Sequence, residues 1–520
     1  MSSSGNGESR AEKKVTLFFH RYRYFPYEKD LAKREVQRFA PHSRIDQSAN
    51  GLVVTGPVDV NRLRKLTYVS AIATDGTTTR TMQHDLENSV SRRPDSPARQ
   101  STRYSAHALH EYKGRFNPQI VGFLLNYLGA DAESRIFDPF CGSGTTLVES
   151  AIHGIESVGI DINPLAVFIS TAKFSALATP ADEIRAALMR VLESFDASLR
   201  YEQLVLLEPD DRQTYLAAWF MPDVLATLEA LRKSITDHAG NARRILLALV
   251  SDLLRDYSLQ EPTDLRIRRR ISAMPTKPLI EAFEVKAKKF VQTLAASQEA
   301  VGLIEPKSKA FVGDSKNPRA VIDYLSGVPA DFVITSPPYA TALPYIDTQR
   351  LSLVWLELCS VPNIRRLEGE AVGSRERRAR EPDWQKRILE NSDVLPTSVA
   401  EFCCELSQAM GPDDGFRRRA TPGLVYRYFA DMKKVFSTLS EVIRKQGRLA
   451  FVVGSNHTTL GGHRFEIETP TLLAAVAMKL GFRVVEQIEL QTYHRYELHR
   501  KNSIRCENLT IFELEERDRL

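Results

Sequence analysis

Cysteine is scarce in this 520-residue chain. Its five cysteines, Cys141, Cys359, Cys403, Cys404 and Cys506, are odd in number and scattered. None has the spacing of a zinc site, so no metal is expected, and neither is a disulfide framework. No uninterrupted apolar run is long enough to span a bilayer. The opening Met1-Ser-Ser-Ser-Gly lacks the basic and apolar regions of a secretory signal, so the expectation is a cytoplasmic protein. Charge of one sign is not in excess. A net charge of +5 permits nucleic-acid binding without arguing for it, and the distribution of charge matters more than the sum. There is no internal repeat. Two phosphate-binding patterns are also missing: the third glycine position of a G-x-G-x-x-G loop is Leu147, and no Gly-Lys-Ser/Thr triplet occurs.

What is present is ordinary globular material, 43% hydrophobic and 26% charged, with length for two or three structural units. Residues 1–14, rich in Ser, Gly and charge, read as a disordered tail. Residues 15–75 read as a small α/β unit. Its strands are Val15–Phe19 and Gly51–Thr55, its helices Tyr27–Phe39 and Val58–Val69, which resembles a β-α-β-α half of a ferredoxin-like unit. Residues 76–106, aperiodic and rich in Thr, Ser, Arg, Pro and Gln, read as a linker.

From residue 107 to 520 an α/β rhythm takes over. It is interrupted by a helical insertion at 175–308 and by a charged, irregular insertion at 360–425. Helices are expected at Ala181–Ser198, Asn241–Tyr257, Thr341–Cys359, Leu424–Lys445 and Thr469–Leu480. Strands are expected at Lys309–Asp314, Asp331–Thr335 and Arg448–Val453, with closing antiparallel strands at Arg483–Leu490 and Asn508–Leu514. Arginines cluster at Arg266, Arg268 and Arg269, and again at Arg375, Arg377 and Arg378. Each group is either a phosphate contact or a solvated helix face.

Two stretches carry chemistry. In Arg135-Ile-Phe-Asp138-Pro139-Phe140-Cys141-Gly142-Ser-Gly144-Thr145, a short strand ends at Asp138 and a helix begins near Thr145. Gly142 and Gly144 remove the Cβ atoms that would keep a ligand away from the backbone. Asp161, at the end of the next strand, follows Asp138 by 23 residues, near the offset at which a carboxylate reaches ribose hydroxyls. The ligand is therefore a nucleoside that need not present a pyrophosphate. Cys141 lies in this turn, where a structural role fits better than a nucleophilic one.

The second stretch is Thr335-Ser336-Pro337-Pro338-Tyr339, after the apolar run Phe332-Val333-Ile334. Two prolines end ladder pairing and stiffen a loop at the carboxyl end of a strand, where open α/β sheets place their ligands. The loop offers a hydroxyl, main-chain carbonyls and an aromatic face. Those parts suit a planar base with an amino group.

With these motifs in this order the chain resembles the S-adenosylmethionine-dependent DNA amino-methyltransferases, and within them the N4-cytosine group with its Ser-Pro-Pro-Tyr tetrapeptide. The resemblance covers roughly residues 108–174 and 309–345, and more loosely 424–514, the extent to which motif reading carries. It implies a Rossmann-like class I methyltransferase sheet with S-adenosylmethionine as cofactor. Asp138, Pro139, Phe140, Gly142, Gly144 and Thr145 would wrap its methionine part, with Phe116 packed nearby. Asp161 would hold the ribose, and Asp314 would sit near the adenine amino group. Ser336, Pro337, Pro338 and Tyr339 would be the catalytic loop acting on a base flipped out of double-stranded DNA. A cognate restriction endonuclease is an implied partner. C5-methylation of cytosine is disfavoured, because its cysteine nucleophile usually follows a proline and no Pro-Cys pair occurs. His457 fits a structural or DNA-contacting role better than that of a base. N6-adenine methylation and tRNA guanine-N2 methylation remain the alternatives. Ser336 argues against the second, which usually has Asp at that position.

Overall fold

The β-branched and aromatic runs of the chain pair into three sheets in the computed structural model. It describes residues 14–88, 100–112, 114–195, 210–264, 267–340, 346–376, 383–491 and 506–515. The expected tail at 1–14 falls outside these residues, except for Lys14.

The first sheet contains β1 (Lys14–Phe18), β2 (Arg44–Ser48), β3 (Gly51–Thr55), β4 (Ala71–Thr74) and β5 (Thr77–Arg80), in the order β2-β3-β1-β4-β5 and antiparallel throughout. With a helix at Pro26–Phe39 and one turn of helix at Val60–Leu63, the element order is the β-α-β-β-α-β of a complete ferredoxin-like unit rather than half of one. Two expectations are corrected here. The helix expected over Val58–Val69 shrinks to Val60–Leu63, and the linker expected at 76–106 contains β5, a helix at Met82–Asn88 and a 3-10 turn at Ser105–Ala108; residues 89–99 lie outside the described residues. The reason is local. Asp75 and Gly76 have φ of 44° and 80°, and the two-residue turn they form sends Thr77–Arg80 back along β4.

The second sheet is built from β6 (Arg135–Asp138), β7 (Glu156–Asp161), β8 (Lys309–Val312), β9 (Ala330–Thr335), β10 (Ile443–Gly454), β13 (Phe482–Gln491) and β14 (Cys506–Leu514). Its order is β13-β14-β10-β9-β6-β7-β8, with β14 antiparallel to both neighbours and the pairs from β10 to β8 parallel. This is the Rossmann-like class I methyltransferase sheet. The order reverses at β6, which has β7 on one side and β9 on the other. The crevice at such a reversal is where open α/β sheets bind ligands.

Alternation along the central strands buries both faces. Phe332, Ile334, Ala450 and Val452 join one core with the helix Pro118–Leu128 and the first sheet. Val333, Leu449 and Phe451 join another with the helix Thr421–Val442. The small unit is therefore seated on the large sheet. Buried Glu35 helps hold it there, accepting from Thr67 N (3.1 Å), Thr67 Oγ1 (2.9 Å) and Asn126 Nδ2 (2.5 Å). Glu35→Ala leaves those donors buried and unmatched. It is expected to cost at least about 2 kcal/mol, read as a lower midpoint in urea denaturation.

The insertion between β7 and β8 is helical, with helices at Ala181–Glu193, Asp211–Trp219, Pro222–His238, Arg243–Ser251 and Leu279–Val301. The segment expected to be irregular at 360–425 is largely helical as well: Val361–Glu370, Trp384–Glu390, Thr397–Gln408 and Phe416–Arg419. Short amphipathic helices separated by charged turns hide their period from a long window. The helix expected at Thr341–Cys359 is reduced to a 3-10 turn, Asp347–Gln349, and Arg350–Trp355; residues 341–345 lie outside the described residues. A small hairpin, β11 (Asn456–Leu460) and β12 (His463–Ile467), was not expected. Among the described residues no helix is long and apolar enough to cross a membrane.

Candidate functional site

The carboxyl ends of β6, β7, β8 and β9 are tied together by the side chains that sequence reading singled out. Thr335 Oγ1 donates to Asp138 Oδ1 at 2.6 Å, joining β9 to β6. Phe140 N also donates to Asp138 Oδ1 (3.0 Å), which starts the turn after β6. Cys141 N donates to Ile160 O (3.0 Å) and Gly142 N to Asp161 Oδ2 (2.9 Å), so the turn leans on β7. Asn163 N donates to Asp161 Oδ1 (2.8 Å), and Gly313 N donates to Asp161 O (3.0 Å), bringing β8 in. Asp161 is thus both a wall of the site and the post to which the turn is fastened.

Burial raises the carboxyl groups of Asp138 and Asp161 to about 6 each, against the pull of the hydrogen bonds they accept. Burial also pushes the Cys141 thiol well up, so it is not a thiolate. Cys141 packs where Gly159 has no side chain; a Cβ there would lie 2.6 Å from Cys141 Cβ. Lys173, fully buried beneath the turn, donates to Ser143 O at 2.7 Å and helps fix its path.

One cavity of about 970 Å³ opens over these strand ends. Phe116, Pro139, Phe140 and Gly142 line it from the turn side, and Asp161 and Asp314 from the next two strands. Ser336, Pro337, Pro338 and Tyr339 line the same cavity. Asp138 and Thr145 face a smaller recess beside it, shared with Phe116, Phe140, Gly142 and Ser336. Gly144 lines neither. It stands behind the turn with φ of 78°, against Ser170. Thus the two motifs, almost 200 residues apart, face one space.

S-adenosylmethionine fits this donor set. The volume matches the range of sites that enclose ligands of drug size. Phe116 and Phe140 supply apolar faces, and the carboxylates of Asp161 and Asp314 suit hydroxyl and amino donors. A Cβ at Gly142 would meet Tyr112 Cε1 at 3.6 Å and narrow the gap between turn and wall.

Several residues of the site escaped sequence reading. Asn163 caps the helix Pro164–Ala178, its Oδ1 accepting from Leu165 N at 3.0 Å. Its Nδ2 donates to Gln349 Oε1 (2.6 Å) and Tyr112 OH (3.3 Å). The Asn-Pro step after Asp161 was an available signal, because Asn at the cap and Pro at the first helical position start helices. Glu507 accepts from the Tyr339 hydroxyl at 2.5 Å, and Asn456 Nδ2 donates to Ala340 O at 2.7 Å. No local pattern announces either contact. His457 lines the cavity from β11.

The arginines divide. Arg375 lines the cavity, whereas Arg266, Arg377 and Arg378 lie outside the described residues. Arg268 is paired with Asp264 at 3.0 Å. Arg269 lies over the Trp219 ring at 4.5 Å and donates to Ala218 O at 2.6 Å. Among the described residues of 175–308 none lines the cavity, while Glu370–Val372 and Asn456–Thr459 do. The wall beyond the sheet ends thus comes from the second insertion and the hairpin.

The family model UPF0020, described as an RMKL-like methyltransferase domain, matches residues 108–200, the segment that holds Phe116, the turn after β6 and Asp161. The type II methyltransferase M.MvaI of Kocuria varians is 25% identical over 387 residues, which cover 68% of this chain and 78% of that protein. A tRNA (guanine(10)-N2)-dimethyltransferase of Methanothermobacter thermautotrophicus is 40% identical over 52 residues, 10% of this chain and 16% of that protein. Among solved structures, a DNA modification methylase of Thermus thermophilus complexed with S-adenosyl-L-methionine aligns at 16% identity over 19% of this chain and 42% of that chain, with a TM-score of 0.17. The motifs, the sheet order and the long match to M.MvaI agree, and together they make the chain similar to S-adenosylmethionine-dependent DNA methyltransferases.

Proposed function

We propose that this enzyme methylates the exocyclic N4 amino group of cytosine at a specific DNA sequence, as the modification half of a restriction or defence system. The observation that carries the reading is the placement of Ser336-Pro337-Pro338-Tyr339 on the same cavity as Pro139, Phe140 and Gly142 of the turn after β6 and as Asp161. M.MvaI, the relative matched over most of its length, is a type II methyltransferase, and this supports DNA as the substrate.

S-adenosylmethionine supplies an electrophilic methyl group; what the chain supplies is a prepared nucleophile. An exocyclic amino nitrogen donates its lone pair into the ring and is weakly nucleophilic. The Ser336 hydroxyl oxygen and the Pro337 carbonyl accept its two hydrogens and draw it toward tetrahedral geometry, returning the lone pair to nitrogen. Pro337 and Pro338 have no N–H to compete for those acceptors. Tyr339 stacks on the base, with its hydroxyl held by Glu507 so that the ring keeps one orientation. Much of the acceleration then comes from holding two reactants in register. The base reaches the cavity only by leaving the duplex. Phe116, Phe140, Asp161 and Asp314 hold the cofactor from the other side.

Nucleoside mass analysis of DNA from cells expressing the protein tests the reading. The expected product is 4-methylcytosine. 6-Methyladenine would transfer the mechanism to adenine, and methylated guanine in tRNA with unmodified DNA would sink it, the outcome to which the short tRNA-enzyme match points.

A pH dependence follows from Asp161. Its folded-state value of about 6 lies above the ordinary carboxyl value of about 4. The folded state therefore takes up the proton first, so ionising this group subtracts stability as pH rises from about 4 to about 6, and none further above that. Holding ribose hydroxyls needs the ionised form. Cofactor affinity, read by calorimetry, is expected to fall as pH drops through about 6, and Asp161→Asn should be weak and flat across that range.

A further inference from the structure

The helical insertion between β7 and β8 lines no part of the cavity among its described residues, yet it reaches the cavity wall through one carboxylate. The insertion shares a core with the helix Pro164–Ala178, where Ile245, Leu249, Phe283 and Leu294 join Leu165 and Ile169. Asp252 ends its helix Arg243–Ser251. A carboxylate at a helix C-terminus opposes the helix dipole, so Asp252 does not serve its own helix. It is largely buried, and its partners lie elsewhere. Its Oδ1 accepts from Glu111 N at 2.8 Å and lies 3.4 Å from His110 Nδ1, and its Oδ2 pairs with Lys286 of the helix Leu279–Val301. His110 is buried, with Nδ1 2.9 Å from Glu111 O and Nε2 3.4 Å from Ser251 Oγ.

The described residues of 109–117 form no helix or strand, so no ladder holds their backbone groups in place. Tyr112 follows Glu111 directly and lines both the cavity and the recess that holds Asp138. Its ring stands against Gly142, and its hydroxyl accepts from Asn163 Nδ2 at 3.3 Å. The Glu111 carboxylate pairs with Arg103 at 2.9 Å, but both side chains are exposed, and such pairs hold little. Of these two ties, the backbone bond to Asp252 is the stronger.

We propose that Asp252 is a positioning residue for the cofactor: by holding Glu111 N it fixes Tyr112 against the turn after β6, so that this wall is set before S-adenosylmethionine arrives. The proposal rests on the reading that the cofactor occupies the cavity beside Tyr112. A wall fixed in advance spares the ligand the cost of ordering it. The helical insertion thus tunes the site from outside it.

Calorimetry of S-adenosylmethionine binding tests this, together with amide hydrogen exchange on the protein without cofactor. In wild type the Glu111 amide should exchange slowly; exchange at the rate of an open loop overturns the proposal without any variant. Asp252→Ala should speed exchange across Leu109–Tyr112 and weaken cofactor binding by about tenfold, the size of one hydrogen bond to a charged group. Asp252→Asn keeps an oxygen for Glu111 N and should recover most of that affinity. Phe283→Ala, in the core of the same insertion, should lower the urea midpoint but leave affinity within about twofold, which separates positioning from a general loss of stability. In a Tyr112→Ala background, Asp252→Ala should cost less than about twofold more. Wild-type affinity in Asp252→Ala, an equal loss in Phe283→Ala, or full additivity with Tyr112→Ala overturns the proposal. A wild-type protein that binds no S-adenosylmethionine overturns the cofactor reading, and the proposal with it.

Discussion

Ser336→Ala is expected to abolish most methyl transfer while S-adenosylmethionine binding stays close to wild type. The hydroxyl oxygen is one of two acceptors proposed for the amino group, and it lies on the cavity with Pro337 and Tyr339. Removing one preorganised hydrogen-bonding group from a reacting centre costs on the order of a hundredfold in turnover. The loss should appear in kcat and not in the cofactor dissociation constant, because Ser336 follows β9 whereas the cofactor turn follows β6. Tyr339→Ala removes stacking worth about 1–3 kcal/mol and should raise the DNA KM as well. Tyr339→Phe separates stacking from anchoring, since it keeps the ring and loses the hydrogen bond to Glu507. Transfer that survives both alanine substitutions would rule out this loop as the site of chemistry.

Gly144→Ala is expected to weaken cofactor binding on the order of a hundredfold through shape alone. Gly144 has φ of 78°, and the added Cβ would lie 2.6 Å from Ser170 Oγ and 2.9 Å from Ser170 Cβ. Ser170 cannot retreat without releasing Gly142, whose carbonyl accepts from Ser170 Oγ at 2.9 Å. The left-handed backbone costs about 1–2 kcal/mol for an alanine, and overpacking adds about 1–3 kcal/mol. The turn would shift, and cofactor affinity measured by calorimetry should fall by on the order of a hundredfold, since about 1.4 kcal/mol is tenfold. Ser170→Gly in the same chain should recover part of the loss by removing the clash, leaving the backbone strain in place. Unchanged affinity in Gly144→Ala would show that the turn does not need this path.

Local patterns were legible where one residue type has one use. Two glycines between a strand and a helix, a carboxylate 23 residues later and a proline pair after an apolar run located the strand ends β6, β7 and β9 that line the cavity. The strands of the large sheet were legible because burial on both faces leaves near-continuous apolar runs such as Phe332–Ile334 and Leu449–Val453. The small unit was read less fully. Thr77–Arg80 carries no apolar residue, and only the Asp75-Gly76 turn marks it as a strand. The helices of 361–419 are short, and charged residues blur their period.

The sequence by itself determined the glycine turn after β6, the Ser-Pro-Pro-Tyr loop after β9 and the parallel sheet, because each follows from local backbone rules and from apolar runs. The tertiary structure decided which of two insertions walls the cavity. It also decided that Glu507 accepts from the Tyr339 hydroxyl and that Asp161 is fastened to the turn beside it. Those relations join residues 19 to 168 positions apart. They arise because a parallel sheet gathers the carboxyl ends of distant strands on one edge, an arrangement that no run of neighbouring residues encodes.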